Sequence, residues 1–223
     1  MTSAVVRARH EEDVVVGEEI VRHRLATRVI HWSVAFFFLM ALLSGLPIWT
    51  PIFGWMAPLL GGLHVCRWLH PWAGGLFFAS MAVMFVHWLD EMRLEGRDRE
   101  WLRPRKMIAY MKHEDDDSDV GKYNGGQKLF FFAAALGGLG LLASGLVLWF
   151  PRAFSPLPWF LAILLHEVTF LLFAVAIVFH VYLGTAAEPG TFRSMTRGVV
   201  TRAWARLHHP RWYREVTGDD GHR

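Results

Sequence analysis

The sequence predicts an all-α integral membrane protein, a bundle of four transmembrane helices, from the distribution of its charged residues. Of the 223 residues, 53% are apolar. Apart from Glu167, no Asp, Glu, Lys or Arg occurs in four long segments, 29–66, 68–89, 129–151 and 153–187. Because a helix needs about 20 apolar residues to cross a bilayer, each of these segments is long enough to span one.

Prolines refine the first of these segments, which is too long for a single span. Pro47, Pro51 and Pro58 lie in its second half, and proline disrupts helices, so we expect a helix followed by a loop at the membrane surface. The transmembrane domain is predicted over 28–185, between tails formed by 1–27 and 186–223. Residues 1–27 lack the apolar core of a signal peptide. The predicted spans are about 28–48, 68–91, 127–150 and 158–185.

The basic residues predict the orientation of these spans. Of the 23 Lys and Arg, 21 lie in the two tails and in the connection between the second and third spans, and only Arg67 and Arg152 lie on the other side. Lys and Arg are retained on the cytoplasmic face, so both termini are predicted to lie in the cytoplasm, with the protein in the cytoplasmic (inner) membrane. The net charge of +3 therefore reflects topology and gives no reason to expect a nucleic-acid partner.

Five histidines lie within the predicted spans, where ionisable residues are rare and usually functional, and all except His87 fall at paired depths. In the predicted orientation His31 is near the inner surface and His70 near the outer surface. His166 and His180 share the fourth span, outer and inner respectively, 14 residues apart, which is roughly 21 Å of helix. Depth therefore pairs His70 with His166 and His31 with His180, which predicts two bis-histidine sites stacked across the membrane.

Haem and zinc both bind neutral imidazole, and two details favour two b-type haems. Each pair joins different helices without a nearby carboxylate or thiolate, and small residues that could admit a flat macrocycle are frequent. The only cysteine, Cys66, excludes a disulfide framework, a four-cysteine iron–sulfur cluster and c-type haem attachment. The glycines in question are Gly45, Gly74, Gly75, Gly137, Gly138, Gly140 and Gly145.

The alternative is that these residues are structural. A membrane histidine can simply hydrogen-bond a neighbouring helix, and small residues also promote ordinary helix packing. We prefer this interpretation for His64, His87 and the pair His208 and His209, which we expect to be exposed.

Four motifs resemble the cytochrome b (gamma) subunit of membrane-bound respiratory formate dehydrogenases, in order along nearly the whole chain. The resemblance implies the same four haem ligands, in the same pairs. The third and fourth motifs are the narrowest signatures of this family. The motifs are R-V-I-H-W at 28–32, R-W-L-H-P-W-A-G at 67–74, D-V-G-K-Y-N-G-G-Q-K at 119–128 and H-H-P-R-W-Y-R-E at 208–215.

The resemblance also implies a quinone site formed by Asn124, Gly126 and Gln127 together with His180. An amide can hydrogen-bond a quinone carbonyl, glycine lets a ring approach the backbone, and a helix N-terminus favours negative charge. The alternative is a plain N-cap and turn at the start of the third span.

The implied function is electron transfer from an iron–sulfur beta subunit to menaquinone or ubiquinone. Formate would be oxidised on a separate molybdenum or tungsten alpha subunit, so the chain is an enzyme subunit that reduces quinone. A hydrogenase or thiosulfate-reductase anchor, and a transporter or scaffold without redox activity, are the alternatives. The N-terminal extension and the acidic run 114–117 depart from the family and are expected to be solvated, and Glu167 has no assigned role.

Overall fold

The computed structural model describes residues 14–112 and 119–218, so the acidic run 114–117 lies outside the described residues. Three short strands accompany the helices: β1 (Val14–Val16), β2 (Glu19–Val21) and β3 (Val199–Thr201). The α-helices are α1 (Leu25–Trp49), α2 (Leu63–Trp88), α3 (Pro104–Met111), α4 (Gly125–Trp149), α5 (Pro156–Tyr182), α6 (Thr191–Thr196), α7 (Arg202–His208) and α8 (Pro210–Thr217).

Four of these helices, α1, α2, α4 and α5, are long and apolar enough to cross a membrane. The fourth candidate span continues as a π-helical turn, Leu183–Ala187. Many apolar side chains on these helices are exposed, Val86 and Leu136 by more than 70%. A helix surface of this kind matches lipid as its surroundings.

The second long helix begins about five residues before the predicted span. It follows Gly61 and Gly62, whose φ angles of 90° and 101° lie in the left-handed region. This turn, which glycine adopts without a Cβ penalty, starts the helix at Leu63. Sequence alone placed the start at about residue 68 because Arg67 bounds the charge-free segment; in the structure both Arg67 and Pro71 lie inside the helix. Between α1 and α2 the chain forms two 3₁₀ segments, Pro51–Met56 and Pro58–Leu60.

The described residues form two compact units, of which the first, the membrane unit, comprises 29–87 and 133–176. Its centre is a cluster of three phenylalanines from α1, α2 and α5. The ring centroids of Phe38, Phe77 and Phe173 lie 5.4 to 5.8 Å apart. Helix α4 packs against this cluster at Gly137, where an added Cβ would lie 3.0 Å from the Phe173 ring.

The second unit, the mixed unit, comprises the described residues of 14–28, 88–132 and 177–218. Its antiparallel sheet has the order β1-β2-β3, with Ile20 of β2 opposite Val200 of β3. These two residues form a core with side chains of α7 and α8, including Trp204, Trp212 and Val216. The strands were not predicted, because each is only three residues long.

Two expectations about the mixed unit are wrong. The N-terminal extension was expected to be solvated, but within its described part Ile20 is buried. His209 was expected to be exposed, but only 2% of its surface is accessible. The cause is the same for both: the terminal segments pack on each other and bury one face of each.

Buried ion pairs tie the connection between α2 and α4 to the start of α4. The Lys128 ammonium group donates to the Asp98 carboxylate at 2.9 Å and to the Arg93 carbonyl at 3.0 Å. Lys122 pairs with Glu91 at 3.0 Å, and both side chains are largely buried. These contacts fix the segment that leads into the predicted quinone residues.

Candidate functional site

The predicted outer pair lies within the membrane unit, with His70 on α2 and His166 on α5. Their ring centroids are 6.0 Å apart, and the ring planes are inclined by 73°. Both residues are half-buried. The fold therefore brings together two imidazoles that are 96 residues apart in the sequence, with neither ring stacked on the other.

Hydrogen bonds from neighbouring helices orient both rings. The His70 Nδ1–H donates to the Ala41 carbonyl of α1 at 2.9 Å. The His166 Nδ1–H donates to the Ser144 hydroxyl of α4 at 2.9 Å, because that hydroxyl itself donates to the Gly140 carbonyl. A carbonyl can only accept, so His70 carries its proton on Nδ1 when neutral and its Nε2 is free to bind a metal.

Each ring also packs against a glycine that directly follows a buried serine. A Cβ added at Gly45 would lie 2.8 Å from His70 Cε1, and one at Gly145 would lie 3.5 Å from His166 Cε1. Sequence reasoning included both glycines but missed the serines. The signal was present as a repeat, because S-G-L-x-x-W occurs at 44–49 on α1 and again at 144–149 on α4.

The predicted inner ligands, His31 and His180, lie on α1 and α5. His31 meets Trp32 edge-on, with ring centroids 5.4 Å apart. The exposed ring of His180 stacks on Phe130, with centroids 4.7 Å apart and planes inclined by only 5°. His31 belongs to the membrane unit and His180 to the mixed unit, and their pairing stays a prediction.

The predicted quinone residues form a reciprocal cap at the N-terminus of α4. The Gln127 backbone N–H donates to Asn124 Oδ1 at 2.8 Å, and the Asn124 backbone N–H donates to Gln127 Oε1 at 3.0 Å. This is a capping box. In this box both side-chain oxygens accept backbone hydrogen bonds, which leaves the side-chain NH₂ groups of Asn124 and Gln127 to donate to a ligand.

An indole ring, missed by sequence reasoning, covers the glycines of this cap. A Cβ at Gly125 would lie 2.3 Å from Trp101 Cδ1, and one at Gly126 would lie 2.8 Å from Trp101 Cζ3. Gly126 was predicted to let a quinone ring approach the backbone, but in the structure Trp101 occupies that face. No sequence pattern marks Trp101, because it lies on a 3₁₀ segment, Gly96–Leu102, within the polar connection.

A cavity of about 270 Å³ lies beside this cap. Asn124, Trp101 and Asp98 line its wall together with Lys106 and Arg211. A cavity of this volume has room for several water molecules, so Asn124 borders a space that water can fill.

Other residues considered from sequence have simpler surroundings. His64 and His87 are exposed on α2. Glu167 is half-buried on α5, directly after His166.

Comparison with known proteins gives a family and several relatives. Residues 22–198 match the family model of prokaryotic cytochrome b561. The chain is 37% identical over 202 residues to the formate dehydrogenase cytochrome b556(fdo) subunit of Escherichia coli (strain K12), covering 89% of this chain and 94% of that protein. It is 35% identical over 201 residues to the formate dehydrogenase cytochrome b556 subunit of Haemophilus influenzae, covering 88% of this chain and 83% of that protein.

A third relative, also from Escherichia coli (strain K12), is the nitrate-inducible formate dehydrogenase cytochrome b556(Fdn) subunit. It is 32% identical over 201 residues, which are 88% of this chain and 91% of that protein.

The family implies haem b, and the geometry of His70 and His166 fits that group. Two metal–nitrogen bonds of about 2 Å, plus about 1 Å from each nitrogen to its ring centre, add up to about 6 Å. The two ring centroids are 6.0 Å apart. The hydrogen bonds at Nδ1 leave Nε2 as the nitrogen of each ring that could bind a metal. On the family match and the identities to these subunits, the chain belongs to the prokaryotic cytochrome b561 family.

Proposed function

We propose that this chain is the cytochrome b membrane subunit of a formate dehydrogenase complex and carries electrons across the membrane to a quinone. The names of the relatives support formate as the upstream substrate. The observation that carries the haem-binding part is the pair His70 and His166. Their ring centroids are 6.0 Å apart, and each Nδ1 is hydrogen-bonded to a neighbouring helix.

Four histidines hold two haem b groups in this proposal. His70 and His166 bind the outer haem, and His31 and His180 bind the inner haem. When bound, haem b supplies one-electron transfer, here from the iron–sulfur subunit on the outer side toward the inner side. The contribution of the protein is to fix the tautomer and direction of each ring, which the Ala41 carbonyl and the Ser144 hydroxyl do for the outer pair.

Quinone reduction is assigned to the N-terminus of α4, near His180. The NH₂ groups of Asn124 and Gln127 would donate to a quinone carbonyl, since the capping box occupies their oxygens. Binding at Gly126 requires Trp101 to move aside. Water in the cavity next to Asn124 is the proton source on the cytoplasmic side, so reduction takes up protons where electrons arrive and builds a membrane potential.

The haem assignment is tested by counting haems in ligand variants. The wild-type subunit, purified in its complex, should contain two haem b per chain by pyridine haemochrome assay. His70→Ala and His166→Ala should each lose the same haem, and His31→Ala and His180→Ala the other, as reduced-minus-oxidised spectra at low temperature can distinguish. His64→Ala is the matched control and should keep both haems. Retention of two low-spin haems in His180→Ala would refute the ligand assignment.

The partner assignment is tested by identifying the large subunit that co-purifies with this chain. A formate-oxidising subunit with molybdenum or tungsten supports the proposal, whereas a hydrogenase or another reductase subunit supports the alternative anchor. Formate should reduce the haems in the wild-type complex, and added quinone should reoxidise them.

A green fluorescent protein fused to the C-terminus should fluoresce if that terminus is cytoplasmic.

A further inference from the structure

Three consecutive carbonyl groups just before Asn124 are all held by the two terminal segments of the chain. Residues 120–122 have no helix or strand of their own, so their carbonyls need partners from elsewhere. All the atoms concerned belong to the mixed unit. The hydrogen bonds run from the Arg211 N–H to the Val120 carbonyl at 3.1 Å, from His209 Nδ1–H to the Gly121 carbonyl at 2.7 Å, and from the Arg22 guanidinium to the Lys122 carbonyl at 2.5 Å.

Arg22 is the residue of the N-terminal segment that donates to one of these carbonyls. It is only 3% exposed, and its guanidinium carbon lies 5.5 Å from the ring centre of Tyr123, 5.0 Å from that of Trp204 and 5.1 Å from that of Trp212. Aromatic faces stabilise a guanidinium at such distances. Arg22 therefore contacts the segment before Asn124 and both C-terminal helices at once.

His209 is the matching residue from the C-terminal side. It is 2% exposed, between α7 and α8, and its ring lies 5.1 Å from Trp204 and 6.2 Å from Trp212. Because the Gly121 carbonyl can only accept, Nδ1 carries the proton that is donated. The two sequence motifs that were the narrowest family signatures, 119–128 and 208–215, thus contact each other through this bond.

We propose that Arg22 and His209 are positioning residues for quinone reduction, acting by holding residues 120–122 so that Asn124 presents its amide to the quinone. This inference rests on the proposed function of Asn124. Lys122 is two residues from Asn124, and Asn124 is fixed in turn by its capping box with Gln127. Removing a hydrogen bond to one of these carbonyls lets the capping box of Asn124 and Gln127 shift, while the four proposed haem ligands stay in place.

The test uses the purified complex with formate as donor and either decylubiquinone or menadione as acceptor. Arg22→Met and His209→Leu remove a donor, whereas Arg22→Lys and His209→Gln retain one. We expect the first two to raise the KM for quinone about tenfold, the effect of losing the one good hydrogen bond that a displaced Asn124 no longer donates to the quinone. The haem spectra and the rate of haem reduction by formate should stay at wild-type values. The conservative variants should recover most of the quinone affinity.

A second measurement reports directly on how firmly residues 120–122 are fixed. Amide hydrogen exchange in peptides covering 119–128 should become faster in Arg22→Met and His209→Leu than in the wild type. Arg206→Met is the matched control, since Arg206 is exposed on α7, and it should change neither exchange nor KM.

The outcomes separate this inference from the function on which it rests. If the wild-type complex reduces neither quinone, the proposed function fails and the positioning role fails with it. If the wild type is active and Asn124→Ala raises KM, but Arg22→Met and His209→Leu leave KM and exchange unchanged, only the positioning role is overturned. Loss of both haems in all four variants would likewise overturn it, since that result assigns Arg22 and His209 to folding in general.

Discussion

His166 on α5 donates its Nδ1–H to the hydroxyl of Ser144 on α4 at 2.9 Å, whereas His70 donates to the backbone carbonyl of Ala41 at the same distance. The two proposed ligands of the outer haem are thus oriented by different kinds of acceptor. Only the first acceptor is a side chain, so only the bond to His166 can be removed by a single substitution that leaves the backbone intact.

Ser144→Ala should raise the midpoint potential of the outer haem. An acceptor at Nδ1 makes the imidazole a stronger donor to the metal, which favours the oxidised iron, so its loss favours the reduced state. One hydrogen bond is worth about 1 kcal/mol, which corresponds to about 40 mV for one electron. Redox titration of the b-type absorbance measures the shift. Ser80→Ala, which removes a bond to the Phe77 carbonyl on α2, should leave both potentials unchanged, and a lower potential in Ser144→Ala would contradict the prediction.

The two glycines beside the ligands should differ in their tolerance of alanine. A Cβ at Gly45 would lie 2.8 Å from His70, which forces the ring to move, whereas one at Gly145 would lie 3.5 Å from His166, an ordinary contact. Gly45→Ala is therefore expected to lose much of the outer haem, and Gly145→Ala to retain it. Haem content per chain by pyridine haemochrome assay distinguishes them, and equal retention in both variants would rule out this view of the His70 environment.

The sequence was sufficient to predict the four long helices, because lipid leaves few alternatives to an apolar helix of about 20 residues. It also selected His70 and His166, since ionisable groups in a span are rare and helical rise fixes their depth. The family was predicted separately, from four short motifs of which 119–128 and 208–215 are the narrowest. The depth of a histidine in the membrane could not predict which group accepts the hydrogen bond from its Nδ1–H.

The remainder of the site depends on contacts between distant segments. Arg22 looked like one of many basic tail residues, and His209 like an exposed histidine, yet both are buried against residues 120–123. Short strands such as β2 carry too few residues to show a pattern. Trp101 was likewise indistinguishable from the other tryptophans, because what places it over Gly126 is the fold of the connection and not a local motif.

The buried ion pair between Lys128 and Asp98 should be costly to break. Their side chains are 5% and 6% exposed and their charged atoms lie 2.9 Å apart. Removing one partner takes the buried counter-charge away from the other, at about 3 to 5 kcal/mol, and the half-exposed Glu95 carboxylate, 3.9 Å from Lys128, replaces Asp98 only in part. Lys128→Met and Asp98→Asn should therefore lower the thermal stability of the detergent-solubilised subunit markedly. Asp90→Asn, which breaks the exposed pair with Arg93, should cost about 0 to 1 kcal/mol. Similar losses from both pairs would contradict this reasoning.

The stability of the mixed unit should fall in mild acid because of His209. Burial, followed by the positive charge of Arg22, holds the pKa of this imidazole well below its ordinary value of 6.5. In the unfolded chain the same group takes up a proton near pH 6.5, while in the folded chain it stays neutral. The stabilisation is therefore fully present above that pH and is lost as the pH falls from there toward the folded pKa, by at most about 1.4 kcal/mol per pH unit.

Denaturant unfolding in detergent, followed by tryptophan fluorescence, to which the buried Trp204 and Trp212 contribute, measures this dependence. Between about pH 6.5 and 5.5 the wild type should lose stability more steeply than His209→Gln, because the amide has no proton to gain in the unfolded state. Other groups titrate over the same range, so the difference between the two slopes is the quantity that reports on His209. His64→Gln, which removes an exposed imidazole in the membrane unit, should keep the wild-type slope. If His209→Gln keeps it as well, His209 takes up its proton equally in the folded and unfolded chains, and the bond from Nδ1–H to the Gly121 carbonyl does not depend on a neutral ring.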